Sequence, residues 1–303
     1  MYEFHRVPGR GAWFEGFYCK HRGMDGGIAL IPAVHREAEG VCTASLQVIT
    51  DHTSYVLEVP LEGSSFGREG GALQVGQSRF SPAGVRLQIV EKGLEVRGEL
   101  RYGPLTALRW DIMGPFRLAE PLMQCYHGVL SLRHGLSGQL AVNGKTLNFD
   151  GGTGYIETDR GRSFPRDYLW TQCNWEDSCV MLSVAEIPFL LGRFKGCICA
   201  IFHAGREYRL ATYLGCRILR YGARGAEVRQ GSYRLVVERL SDGGCPLRAP
   251  SQGAMKRIIR ESLATLVRYR FWRGNQLILD HTDSAASYEY ADERSNYAEQ
   301  IDQ

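Results

Sequence analysis

The sequence has no long hydrophobic run, no excess of one charge and little helical periodicity, and each absence removes a class of protein. Its apolar stretches fall far short of the roughly 20 residues that a membrane-spanning helix needs. Its 36 basic and 33 acidic residues leave a formal net charge of only +3, mixed along the chain. A nucleic-acid-binding domain would show a concentrated basic face instead, so no such partner is expected. No C-x-x-C, H-E-x-x-H or H-x-H spacing occurs, so no metal and no cofactor is expected. The opening residues, MYEFHRVPGRGAWFEGFY, contain no apolar core of a secretory signal. Nine cysteines without a repeating framework are therefore expected as reduced thiols in a cytoplasmic protein.

What the chain does contain is glycine, 36 in 303 residues, and alternation. Val85, Leu87 and Ile89 alternate with Arg86 and Gln88, turn at Glu91-Lys92-Gly93, and give way to Leu94, Val96, Gly98, Leu100 and Tyr102. That pattern predicts a hairpin with one apolar and one charged face. Leu136, Leu140 and Val142 lead into Asn143-Gly144, a strong hairpin signal, with Leu147 and Phe149 on the return. The same period runs through Cys42–Val48, Tyr233–Val237 and Leu263–Phe271, and it sets Cys197 and Cys199 on one strand face. Met255 to Leu263 fits either a short helix or a strand entry. Strands and turns recurring this regularly predict antiparallel barrels or sandwiches. At this length the hairpins would fill two units, divided at the glycine-rich seam into 1–150 and 151–303.

Chemistry concentrates in 151–174, GGTGYIETDRGRSFPRDYLWTQCN. Carboxylates, arginines and aromatic rings interleaved between glycine and proline describe polar groups held against an apolar wall. On a strand, Tyr155, Glu157 and Asp159 share a face. Two carboxylates so close repel, so they predict either an ion-pair cluster with Arg160 and Arg162 or an acid of tuned pKa. Strand alternation likewise sets Trp13, Glu15, Phe17 and Cys19 on one side, which turns Glu15 toward an apolar interior where Arg162 is an available partner. His127 reads as a proton shuttle or as a hydrogen-bonded wall residue. Gly63-Ser64-Ser65-Phe66-Gly67 matches the G-x-S-x-G hydrolase pattern, but no helix follows it, so a plain loop is expected.

Three runs together resemble the tocopherol cyclase family, whose relatives include the carotenoid hydratases. They are Trp13-Phe14-Glu15-Gly16-Phe17-Tyr18-Cys19-Lys20, then Gly154-Tyr155-Ile156-Glu157 with Asp159 and Gly161–Pro165, then Trp170, Gln172 and Asn174. Asp111–Phe116 and Cys125–Val129 look like intervening pieces of bacterial members, and the tail from Arg260 to Tyr290 is similar as well. Phe17, Cys19, Thr158 and Arg160 depart from the family pattern. The resemblance implies an all-β fold of two lipocalin-like (calycin-type) antiparallel β-barrels packed together, with few short helices and an apolar cavity.

It also implies a cofactor-free isomerase that closes a prenylated quinol or related isoprenoid into a ring. Asp159 or Glu157 would protonate an alkene, and Asn174 or His127 would take the phenolic proton. Arg162 and Gln172 would orient the polar head, while Tyr126, Tyr155 and Trp170 would face the cation and Trp13, Glu15 and Tyr18 would line the substrate. The implied partner is a hydrophobic small molecule. Because such molecules live in bilayers, peripheral membrane contact belongs to the expectation. A lipocalin-like carrier, and a hydratase or other cyclase acting on an isoprenoid or polyketide, are the alternatives.

Overall fold

The computed structural model describes Phe4 and residues 11–59, 72–91, 93–189 and 192–292. Most of these residues are strand. One sheet contains β1 (Trp13–Gly23), β2 (Gly26–Arg36), β3 (Cys42–Thr50), β4 (Ser54–Val59), β5 (Leu73–Val75), β6 (Ser78–Ser81), β7 (Gly84–Glu91), β8 (Leu94–Tyr102), β9 (Cys125–Val142), β10 (Lys145–Asn148) and β11 (Thr153–Gly161). The other contains β12 (Tyr168–Trp175), β13 (Ser178–Phe189), β14 (Gly192–His203), β15 (Arg206–Ala211), β16 (Arg217–Gly222), β17 (Gly225–Gln230), β18 (Tyr233–Arg239), β19 (Cys245–Ser251), β20 (Ala254–Arg273) and β21 (Gln276–Ala291). Short 3-10 turns occupy Gly114–Leu122 and Thr212–Leu214. No helix is long and apolar enough to cross a membrane among the described residues.

The first sheet runs β4-β3-β2-β1-β11-β9-β8-β7-β6-β5, with β10 paired to β9. The second runs β15-β14-β13-β12-β21-β20-β18-β17-β16, with β19 paired to β20. Among the described residues no ladder joins the outer strands of either sheet, so in place of the two expected closed barrels there are two large open antiparallel sheets. The second sheet nearly closes by other means. The Gln230 side chain of β17 receives Ala211 N–H at 2.9 Å and donates to Arg209 O at 3.1 Å on the opposite edge, β15. A side-chain amide there stands in for a strand neighbour.

Alternation places the cores. Leu87, Ile89, Leu94, Val96 and Leu100 are buried beneath exposed charges, and with Phe17, Cys19, Leu46, Phe80 and Ile156 they form the apolar face of the first sheet. Val180, Leu182, Cys199, Leu235, Val267, Tyr269 and Phe271 do the same for the second. Burying each large side chain of this kind contributes about 1.5–3 kcal/mol. Asn143 and Gly144 take φ of 49° and 80° between β9 and β10, the left-handed pair that a two-residue hairpin turn requires. Met255–Leu263 resolves as strand, the start of β20. Leu277, two residues before the buried Leu279, is 48% exposed because a bulge between Phe271 and Trp272 shifts the register. The G-x-S-x-G segment lies outside the described residues.

By contacts the chain forms two compact units. One comprises Met1–Arg109, His127–Ser163 and Pro250–Lys256, and the other Trp110–Tyr126, Phe164–Ala249 and Arg257–Gln303. The chain thus enters the second unit at Trp110 and returns at His127, an excursion that no change of composition marks.

Candidate active site

In the first unit, β11 lies between β1 and β9, and the register opposes Tyr18 to Glu157, Lys20 to Tyr155 and Gly16 to Asp159. These residues share one face of the strand pair. Phe17, Cys19 and Ile156 occupy the other face, in the apolar core. The polar face is nevertheless buried: Tyr155 is fully buried, Lys20 is 4% exposed and Glu157 is 5% exposed. A carboxylate and an ammonium withdrawn from water this far need partners.

His127 of β9 supplies the central one. Its Nδ1 lies 2.9 Å from Asp159 Oδ1, and its Nε2 lies 3.4 Å from Glu157 Oε2. Tyr155 donates its hydroxyl to the same Glu157 oxygen. The Tyr18 ring meets that of Tyr155 edge-on, with centroids 6.5 Å apart. The Nδ1 contact is a hydrogen bond and the longer Nε2 approach is an electrostatic one, so the imidazole sits between two carboxylates. The donor set His127, Glu157 and Asp159, with ligand atoms within 4.8 Å of one another, has the chemistry to hold a cation as well.

Glu15 is buried at 1% exposure on the face of Phe17 and Cys19, as alternation predicts. Its cross-strand neighbour is Arg160 rather than the expected Arg162. Arg162 is exposed, and its carbonyl accepts Gly253 N–H at 2.9 Å. Trp13 begins β1 half-buried.

The remaining candidates belong to the second unit. Trp170 and Gln172 of β12 are buried, and Gln172 Nε2 donates to Asn174 Oδ1 at 2.7 Å. These three share the strand face opposite Leu169 and Cys173, which point into the core. Tyr126 donates to Asp111 Oδ2 at 2.6 Å, and Asp111 Oδ1 caps Met113 N–H at 2.9 Å. Arg209 and Tyr213 bind the carbonyls of Trp110, Asp111 and Ile112, so the Asp111–Phe116 run is clamped backbone.

Sequence reasoning passed over Lys20 and the pair His21 and His134. Lys20 closes the Trp13–Lys20 run and falls on the polar face by parity alone, which is the signal that would have found it. His21 and His134 sit on the core face instead. His21 Nε2 is 2.6 Å from the Tyr102 hydroxyl, the Tyr102 and His134 rings lie 4.4 Å apart, and Ser131 Oγ is 3.1 Å from His134 Nδ1. Burial lowers His21 to about 4 and, with His21 and Arg133 adding positive charge nearby, lowers His134 to about 3. No local spacing relates these positions, so only the folded sheet joins them.

The architecture is therefore that of an all-β, lipocalin-like protein with buried titratable groups on the strand faces turned away from its cores. The chain belongs to the tocopherol cyclase-like family, whose model matches residues 113–291. The match takes in β9 through β21 and leaves out the Trp13–Lys20 run. No curated protein matches the sequence. Among solved structures, kievitone hydratase from Nectria haematococca shares the fold with TM-score 0.51 and 10% identity, covering 93% of this chain and 90% of that one. CghA does so with TM-score 0.58 and 10% identity, covering 96% and 94%. CghA with Sch210972 gives TM-score 0.56 and 10% identity, covering 96% and 95%.

Proposed function

We propose that this protein is a cofactor-free enzyme that protonates an alkene of a hydrophobic, isoprenoid-like substrate, with the prenylated quinol cyclisation of tocopherol cyclases as the leading case. The observation that carries the reading is His127 held between a buried carboxylate, Glu157, and a more exposed one, Asp159, with Tyr155 fixed on Glu157. An alkene is a poor base, so its acid must be neutral, close and shielded from water. Burial favours a neutral Glu157 beside a neutral imidazole over the ion pair. In this reading His127 passes a proton from the Asp159 side to Glu157, and Glu157 gives it to the alkene. The phenol oxygen then bonds to the tertiary cation, and its proton returns to His127 or Glu157, so the reaction is a net isomerisation. The rings of Tyr18 and Tyr155 would face the cation, each contact contributing about 0.5–2 kcal/mol. Asn174 as a second proton acceptor, Gln172 and Arg162 as head-group ligands, and Trp13, Glu15, Tyr126 and Trp170 as substrate-lining groups remain part of the proposal. So do a cytoplasmic setting, contact with a membrane surface, and each curled sheet acting as a lipocalin-like barrel.

The test uses a prenylated methylhydroquinone as probe, with chromanol formation followed by mass spectrometry. Glu157→Gln is expected to abolish turnover and Asp159→Asn to slow it, with circular dichroism and melting as folding controls. Full turnover in both variants removes the proposal. A second reading, hydration, has its support in the fold shared with kievitone hydratase. It would use the same acid with water as nucleophile, and the product would carry the mass of one added water.

A further inference from the structure

The second unit holds a separate constellation at the edge of its apolar core. Leu279, His281 and Asp283 follow one another on the inward face of β21, opposite Phe271, Tyr269 and Val267 of β20. Cys173 of β12 reaches the same interior and is 1% exposed. One ligand atom from each of Cys173, His281 and Asp283 lies within 4.8 Å of the others, and His281 Nε2 is 3.1 Å from Asp283 Oδ2. Tetrahedral zinc with bonds of about 2.0–2.3 Å sets its ligand atoms roughly 3.2–3.7 Å apart, so loading draws these atoms together by at most about 1.5 Å.

The surroundings hold two of these groups in place. The Trp175 ring stacks on His281 with centroids 4.1 Å apart and planes 10° from parallel, which fixes the imidazole. Ala285 N–H donates to Asp283 Oδ1 at 2.7 Å, leaving Oδ2 turned to His281. Backbone support of a carboxylate of this kind is the usual outer layer of a metal site. Tyr269 is not a competing anion. Thr171 gives its hydroxyl proton to Ser287 O at 2.8 Å, so Tyr269 donates to Thr171 Oγ1 at 2.6 Å and stays protonated. His281 and Asp283 keep 26% and 21% side-chain exposure, which supplies an entry path.

We propose that Cys173, His281 and Asp283 form a mononuclear site for a borderline-soft divalent transition cation, Zn2+ being the natural occupant, with a fourth position open. The donor set decides the class of ion. A thiolate selects against Mg2+ and Ca2+, which take oxygen ligands. A thiolate and a carboxylate together offset the two charges of the cation, so the loaded site is neutral within an apolar wall. On loading, the thiol proton leaves to solvent, while the neutral His281 ring keeps its one proton on the nitrogen that does not bind the cation and Asp283 binds as the carboxylate. The open position takes water or a ligand oxygen. The inference is independent of the acid proposed in the first unit, where no sulfur is among the three donors.

The whole chain, stripped with chelator, is titrated with Co2+ as probe. The site is expected to bind one equivalent, with visible bands of tetrahedral cobalt and a near-ultraviolet thiolate charge-transfer band, both bleached by Zn2+. Cys173→Ser should remove the charge-transfer band. Cys216→Ser, which alters a thiol 3.9 Å from Cys197 elsewhere in the core, should leave it unchanged. No band, a band that survives Cys173→Ser, or one that disappears with Cys216→Ser overturns the proposal. Should Cys173→Ser fail to fold, zinc-edge X-ray absorption on the unaltered protein decides. One sulfur at about 2.3 Å with nitrogen and oxygen at about 2.0 Å supports the site, and two or more sulfurs overturn it.

Discussion

His127 and His134 stand seven residues apart on β9 and meet opposite faces of β11. His127 reaches Glu157 and Asp159, whereas His134 lies against Gly154, where an added β-carbon would run into its ring. His134 has a serine, a tyrosine and a second histidine for company and no carboxylate among its hydrogen-bond and ring partners in the described residues. Burial therefore keeps it neutral. His127 has a carboxylate near each nitrogen, hydrogen-bonded at Nδ1 and 3.4 Å away at Nε2. One side chain type on one strand thus has two settings: a dry structural wedge on the core face, and an imidazole between two carboxylates on the other, where the proposed function makes it a proton relay. Neighbours decide between them, because an uncompensated charge in a core is costly and a paired one much less so.

The sharpest way to break this contrast is to make the same change at both positions. His127→Gln is expected to lower kcat about 100-fold, the usual size of a lost proton-transfer group. His134→Gln is expected to leave kcat unchanged once corrected for the folded fraction. Equal losses at both sites would end the distinction. Stability against pH probes the core face alone. His21 and His134 are held at about 4 and about 3 in the folded chain, against 6.5 when unfolded. Their contribution is therefore whole above pH 6.5, falls as the pH drops below it, and is fully lost below the folded values. The loss is about 3 kcal/mol for His21 and about 5 kcal/mol for His134. Melting curves between pH 7.5 and 4.5 should show this decline, and His134→Gln should flatten it. A decline of undiminished slope in the variant would assign the effect to other groups. The smallest effects concern glycine. Gly154→Ala should cost about 1–3 kcal/mol by urea unfolding, because the added carbon meets His134. Gly144→Ala, strained only by its φ of 80° in an open turn, should cost about 1 kcal/mol. A reversed order would mean that the His134 ring yields easily.

Much of the first sheet was legible because one face is solvated. Val85–Tyr102 alternates charge with aliphatic carbon, and each inward residue but one on β7 and β8 before Tyr102 is buried, the exception being Gly98. Asn143-Gly144 declared its turn because few residue pairs tolerate two consecutive positive φ angles. β1 was harder to read. Both of its faces are buried from Phe17 to His21, so the pattern FYCKH gives no outward side to subtract. The candidate site was legible in part for the same reason. Parity set Tyr155, Glu157 and Asp159 on one face, but it could not tell which face carried the core, nor that His127 would span both carboxylates.

Local sequence by itself determined the strands, the turns and the sharing of faces, because a strand's period of two is a property of the backbone and holds wherever the strand is packed. Only the tertiary structure decided what each face meets. Cys173 comes to His281 and His127 to Asp159 through the order of strands in a sheet, which depends on the whole set of pairings rather than on any one segment. Ionisation and ligand geometry depend on those neighbours, so the chemistry of this chain emerges only once its sheets have formed.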